Sequence, residues 1–186
     1  MKKKFYLLLA VYLLFALLDG LLTILYSENL KYEANPLVTE LALGWGALFT
    51  ANVCAFAGLY FLTRYTFLKY ETIKAPVKNR REYLSQIFFN RPDKFIWSFY
   101  RMPKNWKPFI AMSGYAAIYA LIAGRIIIVF QWLTFRCPIE SYNRLRASMP
   151  FARLNVVVAV IVTVACMVIW FENEYKRSKA EEPHRG

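Results

Sequence analysis

The sequence predicts an all-α integral membrane protein, a bundle of four transmembrane helices with an interfacial cytoplasmic loop between the second and third helices. Hydrophobic residues make up 58% of the 186 residues, more than the about 45–50% that is usual for soluble domains. They lie in long runs, and the basic residues that give the net charge of +12 lie between these runs. A basic chain can also bind nucleic acid, but this alternation of apolar runs and basic segments favours a membrane.

Four segments hold the roughly 20 mostly apolar residues that a helix needs to cross the hydrocarbon core. These segments are 5–26, 37–63, 109–133 and 154–171. A helix satisfies its own backbone hydrogen bonds inside lipid, so each segment is predicted to be helical. At this length we expect a single domain, 1–186, with connecting loops at 64–108 and 134–153 and a polar tail at 172–186.

The positions of lysine and arginine predict the orientation, because these residues accumulate on the cytoplasmic side of membrane proteins. The N-terminus carries Lys2, Lys3 and Lys4, and the loop 64–108 carries eleven basic residues against three acidic ones. Both termini and this loop are therefore predicted to be cytoplasmic. The loop 134–153 carries four arginines on the opposite side, and the larger bias should prevail.

The second half of the loop 64–108 interleaves basic and aromatic residues. The aromatic residues are Phe88, Phe89, Phe95, Trp97, Phe99, Tyr100 and Trp106. We expect this segment to lie on an anionic leaflet, with its rings at headgroup depth. Nucleic-acid binding uses a similar composition, but no nucleic-acid partner is expected for a segment tethered between two spans. A docking surface for a cytoplasmic protein is the remaining alternative.

Two ionisable residues, Asp19 and Arg125, fall inside predicted spans, where such residues are typically paired or functional. Counted from residues 5 and 109 at about 1.5 Å per residue, they lie about 21 and 24 Å from the cytoplasmic end. Because the first and third spans run in the same direction, an Asp19–Arg125 ion pair is expected in the outer half of the bundle.

Other polar residues lie near that level. Thr23 shares a helix face with Asp19, and Asn35 followed by Pro36 is typical of a helix start, with Asn35 as N-cap and Pro36 in the first turn. We interpret these residues as an outer-facing intramembrane pocket in which Pro36 is a structural cap. Its predicted ligand-binding residues are Asp19, Thr23, Glu33, Asn35, Asn52, Arg125 and Arg136.

Simpler interpretations stand beside each of these. The ion pair can serve only to fix helix register, and Glu33 to Pro36 can form only a capped turn. The glycines Gly44, Gly46, Gly58, Gly114 and Gly124 are most simply helix-packing sites. Residues 142–148 are expected to form a short surface helix bounded by two prolines, Pro138 and Pro150.

Histidine and cysteine usage argues against several classes of catalytic site. The one histidine, His184, lies in the polar tail, and the cysteines Cys54, Cys137 and Cys166 form no CxxC motif. A histidine-ligated metal, a redox motif and a histidine-based triad are therefore disfavoured. No phosphate-binding loop or nucleophile elbow is present. We assign no catalytic residue, metal or cofactor.

The pattern Asp19-x3-Thr23, followed by Glu33-x-Asn35-Pro36, resembles a family of small uncharacterised prokaryotic membrane proteins known as domain of unknown function 5658. The resemblance covers residues 5–63, about the first third of the chain. It implies that these five residues are signature positions and that the membrane is a prokaryotic inner membrane. It implies no chemical activity.

Three functions are compatible with these features. The first is a binding or transport-accessory role, in which the pocket holds an anionic lipid headgroup or a small solute. The second is a structural subunit of a larger membrane complex, and homo-oligomers are also compatible. The third is a small enzyme acting on a lipid or lipid-linked substrate, with Asp19 and Glu33 as acid and base and Arg125 on a phosphate. The lack of an obvious nucleophile disfavours the third.

Overall fold

A computed structural model describes residues 2–27, 30, 44–75, 77, 79–93, 95–96, 100–136, 139–148 and 151–180 of the protein. Within these residues all regular structure is helical. The α-helices are α1 (Lys2–Tyr26), α2 (Trp45–Arg64), α3 (Arg80–Phe89), α4 (Trp106–Arg136), α5 (Glu140–Ser148) and α6 (Phe151–Ala180). Four of them, α1, α2, α4 and α6, are long and apolar enough to cross a membrane.

Three of the four predicted spans are confirmed as helices, and the second begins later than expected. The helix α2 starts at Trp45, and its N-cap residue Gly44 is extended, with φ −84° and ψ −169°. A continuous helix from residue 37 is therefore wrong. The glycines on either side of Trp45 explain this start, because glycine disfavours helix interiors and is tolerated at an N-cap. Asn35 and Pro36 lie outside the described residues.

The fourth span also departs from its predicted end. The helix α6 continues to Ala180, so the first part of the expected polar tail is helical. Glu174 and Ser178 within it are 1% and 3% exposed. Hydropathy marks the end of an apolar run and not the end of a helix, which is why the sequence placed the boundary too early.

The helix α4 lies at the centre of the bundle, and α1 and α6 both pack mainly against it. A buried cluster joins α1 to α2 and α4, and it consists of Phe5, Leu8, Leu9, Tyr12, Leu59, Phe67, Ile118 and Ile122. Large apolar side chains also point away from the bundle, such as Leu25, Phe49 and Ile161, which are 71%, 72% and 61% exposed. Such a surface is costly in water and compatible with a bilayer.

The end of α2 approaches α4 closely at Gly114. A Cβ atom at this position would lie 2.2 Å from Thr66 Oγ1 and 2.9 Å from the Leu62 carbonyl oxygen. Thr66 belongs to a π-helical turn, Tyr65–Lys69, that ends α2, and its hydroxyl donates to the Ala111 carbonyl of α4 at 3.1 Å. The packing role predicted for glycine is thus confirmed at Gly114. A Cβ atom added at four other glycines would meet no described neighbouring atom within 4 Å, so close packing is not seen there. These are Gly44, Gly46, Gly58 and Gly124.

The loop 64–108 contains a packed helix rather than only an interfacial segment. Asn79 caps α3 by accepting a hydrogen bond from the Glu82 amide at 2.9 Å, as in a capping box. The helix then buries Phe88 and Phe89, which are 6% and 3% exposed, in a second core with Trp170 of α6. These two rings therefore pack within the protein, because α3 directs its apolar face to α6, and the headgroup depth expected for the segment stays a prediction.

The short helix expected after α4 is confirmed as α5. It is exposed, and its Arg144 and Glu140 side chains form an i,i+4 ion pair at 2.5 Å, with 77% and 80% of these side chains exposed. Pairs of this kind contribute little to stability.

Substitution of Gly114 tests the packing of α2 on α4. Gly114→Ala should lower the free energy of unfolding by about 1–3 kcal/mol, because the added methyl group displaces Thr66 Oγ1 or separates the helices. Gly124→Ala on the same helix should be neutral or stabilising by up to about 1 kcal/mol, because alanine is the better helix former. Equilibrium unfolding in mixed micelles measures both, and equal effects would contradict the close approach.

Candidate functional site

The predicted Asp19–Arg125 ion pair is confirmed. One guanidinium nitrogen of Arg125, Nη1, donates to Asp19 Oδ2, and the other, Nη2, donates to Asn52 Oδ1. Arg125 lies on α4, Asp19 on α1 and Asn52 on α2, so one side chain connects three of the four long helices. Three of the seven predicted ligand-binding residues are thus brought together.

Two aromatic residues complete this cluster, and the sequence analysis missed both. Trp132 Nε1 donates to the second Asp19 oxygen, Oδ1, at 3.3 Å, and the ring of Tyr12 lies 5.9 Å from Arg125 Cζ. Each lies seven residues from an ionisable partner on its own helix, Trp132 after Arg125 and Tyr12 before Asp19. A seven-residue spacing places two residues on the same helix face, and this was the available signal.

The cluster is largely shielded from solvent. The side chains of Arg125 and Asp19 are 19% and 12% exposed, and both carboxylate oxygens of Asp19 accept hydrogen bonds. A buried charge is tolerated when it is paired and hydrogen-bonded. The bonds to Asp19 and Asn52 use two of the five N–H donors of a guanidinium group, and 19% of the Arg125 side chain is exposed.

Of the remaining predicted site residues, the structure describes Thr23 in full and Arg136 only in its backbone. Thr23 is 3% exposed, and its hydroxyl donates to the Asp19 carbonyl oxygen at 2.9 Å, a bond within the helix. Arg136 ends α4, and its side chain is outside the described part of the structure. Glu33, Asn35 and the cap residue Pro36 are outside it as well, so their predicted roles stay predictions.

A second polar contact follows the cluster along α4. Gln131 Nε2 donates to Asn155 Oδ1 of α6 at 3.4 Å. The other amide atom, Gln131 Oε1, is buried and accepts no hydrogen bond from any described residue. Buried acceptors are normally satisfied. This oxygen lies about 9 Å from Arg125 along the helix and can accept a hydrogen bond from a group outside the described residues.

A second polar cluster lies where the segment after α2 meets α6. Tyr70 Oη and Thr72 Oγ1 donate to the two carboxylate oxygens of Glu174 at 2.8 and 3.3 Å. Tyr83 Oη donates to the Ile73 carbonyl at 3.0 Å, and Lys179 Nζ donates to the Val77 carbonyl at 2.8 Å. These bonds hold residues 70–75 and 77 against α3 and the end of α6.

The chemistry of this second cluster depends on neutral donors. Burial, followed by the negative charge of Glu174, raises the pKa of Tyr70 well above its ordinary value. The same two causes raise the pKa of Tyr83. Both hydroxyl groups therefore stay protonated at physiological pH, and Tyr70 remains a donor to the carboxylate.

The described residues include no group of three or more histidine, cysteine, aspartate or glutamate side chains placed to hold a metal ion. The cluster of Asp19, Arg125, Asn52, Trp132 and Tyr12 is called the outer-half cluster below, after its predicted position. It contains one hydroxyl group, that of Tyr12, and no thiol. It offers charge recognition and hydrogen bonding.

Comparison of the chain with protein-family models, with curated proteins and with solved structures finds no match. The resemblance of residues 5–63 to the domain of unknown function 5658 family stays a prediction, which rests on the five signature residues given above. Inferences about function therefore rest on the geometry of this chain.

A double-mutant cycle tests the energetic role of the ion pair. Asp19→Ala and Arg125→Ala should each lower the free energy of unfolding by about 3 kcal/mol, because each leaves an unpaired charge in apolar surroundings. The double variant should lose less than the sum, with a coupling energy of at least about 1 kcal/mol.

The exposed Glu140–Arg144 pair of α5 provides the matched control, with an expected coupling below about 0.5 kcal/mol. Unfolding of all six variants in mixed micelles measures the two couplings. A coupling near zero for Asp19 and Arg125 would show that the two residues do not meet.

Proposed function

We propose that the chain is a polytopic protein of a prokaryotic inner membrane that binds an anionic lipid headgroup or a small anionic solute in the outer half of its bundle. Its role is binding or transport-accessory. The observation that carries the proposal is the position of Arg125, a guanidinium fixed by side chains from two other helices while 19% of its side chain stays exposed.

The chemistry of arginine favours an anion. Its planar fork binds phosphate and carboxylate groups through paired hydrogen bonds, and Asp19 and Asn52 already hold the fork in one orientation. A preordered binding group loses less entropy when a ligand arrives. Asp19 also neutralises Arg125 at rest, which lowers the cost of keeping the cation inside the membrane.

The acceptor Gln131 Oε1 supports a ligand with a second, donating end. Arg125 supplies donors for a phosphate or carboxylate. Gln131 Oε1, further along α4, accepts no hydrogen bond from any described residue and can accept one from a hydroxyl or amine. An elongated headgroup with an anionic end and a hydroxyl end matches both requirements. An acid–base role is less well supported, because both oxygens of Asp19 are engaged.

The proposed orientation places the start of α1 and the ends of α2 and α6 on the cytoplasmic side. Aromatic contacts join these parts at one end of the bundle, Phe5 with Tyr60 at 5.9 Å and Tyr70 with Trp170 at 5.8 Å. The basic loop 64–108 leaves from the same end. Its Ile96, Tyr100 and Met102 are 68%, 65% and 78% exposed, which suits an interfacial position.

Ligand retention tests the outer-half site. Arg125→Gln, which removes the anion-binding cation, and Glu33→Gln, at a predicted signature position, should each lose the ligand that co-purifies with the wild type, while Glu40→Gln should retain it. Native mass spectrometry of protein released from membranes in mild detergent measures the retained mass. If Arg125→Gln keeps the same ligand at the same occupancy, the proposed site is wrong. A stoichiometric protein partner in place of a ligand would favour the structural-subunit alternative.

Labelling from either side of the membrane tests the orientation. In a cysteine-free background, Met102→Cys should react with an impermeant maleimide only after the cells are opened. Ser141→Cys on α5 should react in intact cells, because the positive-inside bias places the two on opposite sides. Reaction of both residues from the same side would contradict the four-span topology.

A further inference from the structure

A cavity of about 60 Å³ opens at the end of the bundle opposite the outer-half cluster, between α1, the π-helical turn, α4 and α6. This volume holds roughly four to six water-sized groups. Its lining includes Lys4, Tyr115, Trp170, Asn173, Glu174 and Arg177. The four residues from α6 follow the spacing i, i+3, i+4 and i+7, so one face of that helix forms a wall.

Three aromatic rings surround the ammonium group of Lys4. Its ammonium nitrogen lies 5.9, 5.4 and 5.6 Å from the ring centroids of Phe67, Tyr115 and Tyr119. Contacts with ring faces orient a cation, but they do not neutralise it as a carboxylate would. Among the described residues, no carboxylate lies within ion-pair distance of Lys4.

Arg177 provides a second cation at the same cavity. Its guanidinium also forms no ion pair within the described residues, although Glu174 is only three positions away. The Glu174 carboxylate is engaged instead by Tyr70 and Thr72 and is 1% exposed. The lining thus combines two cations and the exposed amide of Asn173 with one buried carboxylate, so one positive charge is in excess there.

We propose that this cavity binds the phosphate group of a membrane phospholipid between Lys4 and Arg177. The cation pair and the Asn173 amide supply charge-assisted and neutral donors to the phosphate oxygens, and the cavity accommodates a group of five heavy atoms. This proposal rests on the proposed function in one respect, which is that the four long helices lie in a membrane. It does not depend on any ligand of the outer-half cluster.

The place of the cavity favours a lipid over free phosphate. Lys4 lies in the first turn of α1 and Arg177 in the last turn of α6, and both helices are long and apolar enough to cross a membrane. A phosphate held between the ends of two spanning helices lies at the level of lipid headgroups.

The test uses the full chain in phosphatidylcholine nanodiscs that contain phosphatidylglycerol as the probe. Lys4→Gln/Arg177→Gln should bind phosphatidylglycerol at least about tenfold more weakly than the wild type, the size of one lost charge-assisted hydrogen bond. The matched control is Lys2→Gln/Lys176→Gln, which removes the same charge from exposed positions on the same two helices. Native mass spectrometry of the released complexes counts the bound lipid.

Further variants separate binding from folding. Arg177→Gln alone leaves the rings around Lys4 untouched and should still weaken binding, whereas Arg125→Gln should leave this lipid bound. Equal retention by the double variant and its control would overturn the proposal. Displacement of the lipid by inorganic phosphate at comparable concentration would overturn the lipid assignment, because a free anion would then suffice.

Discussion

The arrangement of the bundle depends on one buried interaction, the ion pair between Asp19 and Arg125. An arginine on a central helix in apolar surroundings is destabilising unless its charge is met. Asp19 forms an ion pair with this arginine, and Asn52 accepts a hydrogen bond from a second guanidinium nitrogen. Because these partners come from different helices, the register of α1 and α2 against α4 is fixed by the requirements of a single side chain.

Close packing also holds α2 against α4, at a distance from the ion pair. The N-terminal half of α2 is held by the polar contact at Asn52, and its C-terminal end is held by the contact of Leu62 and Thr66 with Gly114. Lipid chains are as apolar as leucine, so the hydrophobic effect does not drive helices together inside a membrane. Such helices associate through close packing at small residues and through interhelical hydrogen bonds. The chain uses one device at each end of the α2–α4 interface.

The sequence predicted the four apolar helices and the Asp19–Arg125 pair because each prediction needs only properties that can be read from a single segment. Apolar length gives the span, and rise per residue gives the depth of an ionisable side chain. The late start of α2 was missed because the helix boundary depends on Gly44 and not on hydropathy. The aromatic partners Tyr12 and Trp132 were missed because helix spacing identifies a face but not which neighbouring face it meets.

Glu174 shows the same difficulty at the other end of the bundle. A carboxylate just beyond an apolar run is typical of a solvated tail. Here the non-helical segment 70–75 places Tyr70 and Thr72 within hydrogen-bonding distance of the Glu174 carboxylate. The two buried carboxylates therefore have different effects. Asp19 is paired with a cation, so its charge is balanced within the cluster. Glu174 accepts its hydrogen bonds from neutral hydroxyl groups, which leave its negative charge in place. The two cations and one carboxylate of the cavity lining therefore leave a surplus of one positive charge at this end of the bundle.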